Sequence, residues 1–445
     1  MRALSADVET IGEVELFGRV AALQGLLVEV AGPVRQMRVG SRLRIADTED
    51  HIVYCEVVGF RGERALALPL DPLEGVRMGC RAVVEDEDPV IRPTNGWLGR
   101  VIDGRGRPMD GKGRMDGGAD PYHLRAKPPA AHTRQRVGKP IDLGVRALNT
   151  FATCCRGQRM GIFAGSGVGK SVLFSMIARN TDADVTVIGL VGERGREVQE
   201  FLQDDLGEEG LKHACVVVAT SDEPALMRRQ AAMMAMTVAE YFRDQGKNVL
   251  LMMDSLTRFA MAQREIGLAS GEPPTAKGYT PTVFTELPRL LERAGPGPAG
   301  SGNITGLFTV LVDGDDHNEP VSDAVRSIVD GHIVMERSIA ERGRYPAVNI
   351  LKSVSRTMPE SSAAEYRPAI KRARNLLATY ADMEELIRLG AYRKGSDPLV
   401  DEAIVLNAPL EEFLSQAKDE ATTIDEGYRK LAAIVGVTGA GKADE

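Results

Sequence analysis

Three textures of apolar and polar residues succeed one another along the chain. Up to about residue 90 the apolar runs are short. Residues 18–30 are largely apolar with breaks at Gly18 and Gly25, while residues 37–45 and 51–60 alternate apolar with polar. A period of two fits strands that bury one face. Gly32-Pro33, Gly40-Ser41, Arg61-Gly62 and Gly75 supply turns between them, so this segment predicts a small β-barrel or sandwich. From 89 to 136 the composition turns to Gly, Pro and Asp, and Pro128-Pro129 reads as a linker. A domain boundary is therefore expected near residue 90.

Residues 137–360 alternate fully apolar strand-like runs with helical stretches, which predicts an α/β sheet. Strands are expected at 185–191, 214–219, 249–253 and 304–312, and a helix at 225–242. Polar residues collect where these strands stop: Gly192-Glu193, Thr220-Ser221, Asp254-Ser255 and Asp313. Open α/β sheets bind ligands beyond the carboxyl ends of their strands. The third texture, 363–435, is helical. Leu376, Leu377, Tyr380, Met383, Leu386 and Ile387 recur at helical spacing, as do Leu410, Phe413 and Leu414, with Gly390 and Pro398 as breaks. The expected division is 1–90, 91–362 and 363–445, with a frayed end from about residue 436.

One stretch in the middle texture carries recognisable chemistry. The apolar run 160–163 leads into Ala164-Gly165-Ser166-Gly167-Val168-Gly169-Lys170-Ser171, followed by Val172 and a helical segment. This is the phosphate-binding loop pattern, with Ala164 in place of its first glycine. Such a loop turns backbone N–H groups toward one point at a helix N-terminus. Lys170 would neutralise β- and γ-phosphate oxygens, and the Ser171 hydroxyl would ligate Mg²⁺. Asp254, after five apolar residues, is placed to hold the Mg²⁺ hydration shell. Glu193 ends the next predicted strand and could polarise a water for attack on the γ-phosphorus. Arg194 could touch the same phosphate, or pair with Glu193 or Glu197. Arg356 is a candidate arginine finger, acting in its own subunit or the next. Tyr345 could stack on adenine.

The bulk figures narrow the classes. A length of 445 residues allows two to four domains, and 43% hydrophobic with 27% charged residues is ordinary for a globular protein. A net charge of −8 and a pI of about 5.5 argue against a dominant nucleic-acid or anionic-lipid face. The five cysteines show no metal-ligand spacing and read as reduced thiols. No run approaches the roughly 18 apolar residues of a membrane span, and the N-terminus has no apolar signal core. An RNA-binding barrel would want stacking aromatics on a basic face. The first 90 residues offer only Phe17, Tyr54 and Phe60.

Five segments together resemble the hexameric ATPases related to the catalytic subunit of rotary ATP synthases. They are the loop Ala164–Ser171, Val191-Gly-Glu-Arg-Gly-Arg-Glu197, Met253-Asp-Ser-Leu-Thr-Arg-Phe-Ala-Met-Ala-Gln-Arg-Glu-Ile-Gly267, Gly314-Asp-Asp-His-Asn-Glu-Pro320 and Tyr345-Pro-Ala-Val-Asn-Ile-Leu-Lys-Ser-Val-Ser-Arg356. Within that group the chain looks most like the ATPases of flagellar type III protein export. Gly390-Ala-Tyr-Arg-Lys-Gly-Ser-Asp-Pro398 is similar to export ATPases, and Asn318-Glu-Pro320 leans flagellar. The resemblance implies an α/β, RecA-like P-loop core between a small N-terminal β-barrel and a C-terminal helical domain. It implies Mg-ATP hydrolysis, with Lys170, Ser171 and Asp254 at the phosphates and metal and Glu193 as the catalytic glutamate. It further implies Arg356 supplied across a subunit interface and Tyr345 on adenine. The expected assembly is a homohexamer at the cytoplasmic face of the inner membrane, beneath the export gate of the flagellar basal body. Expected partners are a regulatory stator-like protein on the N-terminal segment, a central stalk protein and chaperone–substrate complexes. A virulence-type secretion ATPase shares this chemistry. A non-catalytic rotary subunit would replace Glu193, and a ring RNA helicase would need the basic barrel that is missing.

Overall fold

The computed structural model describes residues 15–48, 51–85, 89–312 and 319–437. The N-terminal segment up to residue 14, expected to bind a partner, and most of the Gly314–Pro320 motif lie outside the described residues.

Strands β1 (Phe17–Gln24), β2 (Leu27–Ala31), β3 (Arg42–Thr48), β4 (His51–Arg61), β5 (Arg64–Pro69) and β6 (Arg81–Glu85) form a closed antiparallel barrel in the order β1-β2-β5-β4-β3-β6. Period-two patterning explains the closure. Ala65 and Ala67 point into the barrel core with Val28, Leu43, Val53 and Val57. The alternate residues Leu66 and Leu68 face outward and meet Leu226, Ala262 and Ile266 of the neighbouring layer. The apolar stretch expected as a strand from residue 37 becomes one only at Arg42, because Gly40 takes φ 96° and turns the chain first.

Past the barrel, β7 (Val90–Ile91) pairs with β9 (Tyr122–His123) in a small ribbon. Between them, β8 (Arg100–Asp103) joins the edge of the large sheet. The turn-rich linker thus contributes a strand. Asp110 makes this work: it receives Nε and Nη2 of Arg100 at 2.7 and 2.9 Å, plus the Val101 N–H at 3.0 Å.

The large sheet runs β17-β16-β10-β15-β13-β11-β12-β8. Its remaining members are β10 (Arg159–Ala164), β11 (Val185–Glu193), β12 (Ala214–Thr220), β13 (Asn248–Asp254), β15 (Asn303–Leu311), β16 (Gly331–Met335) and β17 (Val348–Ser355), with β14 (Gly295–Pro296) against β15. All are parallel except β14 and β17. Both faces are covered, so the strands read as unbroken apolar runs. Ile188, Leu190, Leu250 and Met252 face the helix Lys170–Asn180. Val187, Val191, Leu251 and Met253 face the helices Ala225–Asp244 and Leu256–Ser270.

The C-terminal helices Arg367–Arg388, Pro398–Leu414 and Ile424–Ile434 build no core of their own. Leu376, Leu377, Leu410, Phe413 and Leu431 belong to one buried cluster with Phe151 and Phe174 of the sheet domain. Arg146, itself buried, locks the junction by donating to the Phe413 and Ser415 carbonyls, Thr422 and the Glu420 carboxylate.

Candidate nucleotide site

Strand β10 ends at Ala164, and the chain turns through Gly165–Gly169 into the helix Lys170–Asn180. Gly167 and Gly169 hold φ of 77° and 86°, a region that side chains with a Cβ avoid. Leu173, Phe174, Met176 and Ile177 bury one face of the helix and fix its axis. Its N-terminal amides therefore end at the rim of the sheet, where a helix favours anions. Ser166, Gly167, Ser171 and Val172 are exposed at this rim, while Ala164, Gly165 and Val168 are buried beneath it. Arg337 fastens the loop from outside, donating from Nη2 to the Ser166 carbonyl at 3.1 Å.

Tyr345 stands against the loop. A Cβ built on Gly169 would lie 3.3 Å from Cδ1 of its ring. The Tyr345 carbonyl accepts from the Gln416 N–H at 2.8 Å, so the C-terminal region holds the ring's backbone. The ring is about half exposed and offers a face to a planar group beside the phosphates.

Parallel register brings two carboxylates to Lys170. Leu190 of β11 is level with Asp254 of β13, and Glu193 follows just beyond a bulge. Gly192 makes that bulge with φ 74°, and a Cβ there would strike Cβ of Arg258 at 2.9 Å. The Lys170 ammonium forms an ion pair with Oδ1 of Asp254 and lies 3.8 Å from Oε1 of Glu193. All three side chains are largely buried, with exposures of 11%, 6% and 13% for Lys170, Asp254 and Glu193. Asp254 also receives the Thr309 hydroxyl at 2.6 Å.

Glu193 differs from Asp254. Its Oε1 is buried and accepts no hydrogen bond. Burial pushes its carboxyl up to about 7, the nearby Asp254 charge pushes the same way, and Lys170 opposes both. A carboxylate so placed is poised to take a proton near neutral pH. A small cavity lined by Ser171, Phe174, Glu193, Glu197, Phe201 and Asp254 adjoins it. The oxygen donors present, Ser171 and Asp254, suit a hard divalent cation that shares its shell with phosphate oxygens. Among the described residues no cluster of three His, Cys, Asp or Glu side chains offers a self-contained metal cage.

Two expected residues stand elsewhere. Arg194 is exposed and pairs with Glu197 at 3.4 Å, one of the alternatives open in the sequence. Arg356 is at the opposite end of the strands, just past β17, which lies two strands from β10. It follows Ser355, which is level with Gly331; β16 runs parallel to β10, with His332 level with Gly161. Ala164 is thus about 13 Å farther along the strand direction, at roughly 3.3 Å per residue. Arg356 and the Lys170 of its own chain belong to opposite rims.

Thr309 and Arg337 were not foreseen. Thr309 left a faint trace as a hydroxyl inside an apolar strand, but only its neighbour β13 makes it a partner of Asp254. Arg337 left none, since its contact with the loop spans the whole nucleotide domain.

Comparisons with known proteins identify the family and the fold. The ATP synthase alpha/beta family, nucleotide-binding domain, matches residues 144–355, and the T3SS EscN ATPase C-terminal domain matches residues 362–433. The chain is 59% identical to the flagellum-specific ATP synthase of Caulobacter vibrioides over 440 residues, covering 98% of this chain and 99% of the relative. It is 42% identical to the type 3 secretion system ATPase of Xanthomonas euvesicatoria, covering 97% of each. Among solved structures, the assembled ATPase EscN of the enteropathogenic E. coli type III secretion system superposes with a TM-score of 0.88 at 43% identity, covering 94% of this chain and all of that one. The same ATPase in complex with its central stalk EscO gives 0.85 at 43% identity, with the same coverage.

Proposed function

Because the chain belongs to the ATP synthase alpha/beta family, in the branch of flagellum-specific and type III secretion ATPases, it is an ATP-hydrolysing enzyme of type III export, and we propose that it serves flagellar assembly. The 59% identity to a flagellum-specific relative over nearly the full chain supports flagellar cargo. The observation that carries the catalytic reading is the meeting of Lys170, Asp254 and Glu193, whose buried Oε1 accepts no hydrogen bond, at the rim that carries the phosphate loop.

The chemistry follows from these positions. Loop amides and the Lys170 ammonium bind the β- and γ-phosphates, and Tyr345 covers the base. Bound Mg²⁺, held by Ser171 and Asp254, would supply charge neutralisation at the phosphate oxygens. Glu193 orients a water and takes its proton as the water oxygen bonds to the γ-phosphorus and the bond to the β–γ bridging oxygen breaks. Thr309 keeps the Asp254 carboxylate facing Lys170. Preorganised charge, rather than covalent chemistry, supplies the acceleration.

Arg356 then acts on a neighbouring subunit. Its position at the far rim supports this, since a ring of heterologous contacts sets the far rim of one copy against the loop rim of the next. The assembled state named for EscN supports a homohexamer, and the EscO complex supports a stalk partner. The same reading places the ring at the cytoplasmic face of the inner membrane, below the export gate, receiving chaperone–substrate complexes, with a stator-like regulator on the N-terminal segment. No helix among the described residues is long and apolar enough to cross a membrane.

Glu193→Gln tests the scheme. It should retain nucleotide binding and lose turnover by about 10²–10⁴-fold, the range for a positioned general base. Steady-state hydrolysis at the unaltered rate would remove Glu193 from the mechanism. Loss of motility on deletion of the gene, with secretion of virulence proteins intact, would support flagellar cargo; the reverse would overturn it.

A further inference from the structure

Behind Arg356 is a side chain that the reaction scheme does not use. Gln158 is fully buried in the turn before β10. Its Oε1 accepts the Cys155 N–H at 2.9 Å and the Thr357 hydroxyl at 3.2 Å. Its Nε2 donates to the Asp330 carbonyl and to the Ser355 hydroxyl, each at 3.0 Å. Two donors and two acceptors are all that a carboxamide has, so the group is saturated.

The choice of partners is informative. Ser355 and Thr357 flank Arg356. The Asp330 carbonyl that takes Nε2 also takes the Arg356 N–H at 3.0 Å. One buried amide therefore grips both neighbours of Arg356 and shares an acceptor with its backbone. The Ser355 hydroxyl continues the chain of bonds to the Thr153 carbonyl at 2.8 Å. This matters because β17 ends at Ser355, and past that residue no sheet ladder restrains the backbone. A surface arginine has many rotamers of its own. What the fold can fix is the point from which the side chain springs.

We propose that Gln158 is a positioning residue for Arg356, setting the backbone from which the guanidinium reaches the next subunit's triphosphate. The proposal rests on the reading of Arg356 as an arginine supplied in trans. A displacement of about 1 Å at a positioned group costs on the order of 10²-fold in rate. Gln158→Leu, which removes all four bonds, should therefore lower kcat by about 10–100-fold with little change in ATP affinity.

Gln158 also precedes β10 and its own phosphate loop, so a loss of rate alone would not separate the two roles. Mixed rings do. Lys170→Ala subunits lack a working phosphate site but carry an intact Arg356 and its supports. Gln158→Leu subunits co-assembled with them, from equal amounts to about a tenfold excess, should regain turnover per Gln158→Leu subunit. The reference is wild type diluted the same way, and recovery to within about threefold is expected, since each variant site then receives a well-placed arginine. Arg356→Ala, treated identically, is the control. Rescue of Arg356→Ala without rescue of Gln158→Leu overturns the positioning role alone. Failure to rescue Arg356→Ala overturns the trans reading itself. Should Gln158→Leu not fold, the Ser355→Ala/Thr357→Val pair removes two of the four partners and carries the same expectations.

Discussion

The two ends of strand β10 solve opposite problems. At its carboxyl end the loop and Lys170 meet Asp254 and Glu193 in a largely buried cluster of charge. At its amino end neutral groups (Gln158, Ser355, Thr357 and the Asp330 carbonyl) hold the backbone of an exposed arginine. The first end keeps ionised groups desolvated, where each field is strong and a carboxyl can be raised toward neutrality. At the second the bonds to the Arg356 backbone are neutral, and the nearby Asp330 carboxylate is taken by Arg159 at 3.1 Å; a free carboxylate beside Arg356 would hold the guanidinium back from a phosphate. The site proposed to be shared between copies would need both arrangements: one rim to bind and one to deliver.

That contrast can be broken by experiment. The largest effect is expected from Arg356→Ala, which should cut turnover in assembled rings by about 10³–10⁵-fold. Nucleotide titration of dispersed subunits should show unchanged affinity; a matching loss of affinity there would place the arginine in its own subunit's site. A smaller effect should come from pH. The carboxyl of Glu193 is raised to about 7, and it acts as a base only when ionised. Turnover should therefore fall as pH drops through about 7, by roughly tenfold between about pH 8 and about pH 6. A pH–rate profile flat over that range would show that Glu193 does not titrate in the working enzyme. The smallest effect is expected from Arg194→Ala. Its pair with Glu197 is exposed, and such pairs contribute about 0–1 kcal/mol. Turnover should stay within about threefold of wild type; a loss like that of Arg356→Ala would mean that Arg194 leaves Glu197 to touch phosphate.

Local chemistry accounts for most of what was legible before the structure. The loop, the strand-ending acids and the alternating barrel strands are each written in contiguous residues, because phosphate binding and strand amphipathicity act over a few positions. The edge strand Arg100–Asp103 was not legible. Its run is short and surrounded by turn residues, and only Asp110 and the open edge of β12 make a strand of it. That the C-terminal helices share a buried cluster with the sheet domain was not legible either, since helical periodicity shows which face is apolar but not what it meets.

By itself, then, the sequence determined the parts: a phosphate loop, two acids that end strands, an aromatic and an arginine of suitable chemistry. Tertiary structure alone decided their grouping. Parallel register put Glu193 and Asp254 within reach of Lys170, and the antiparallel return of β17 carried Arg356 to the other rim. Strand direction is a property of the sheet, not of the residues within one strand, so no local pattern could have shown that Arg356 stands at the rim away from its own chain's Lys170, or that Gln158 lies beneath it.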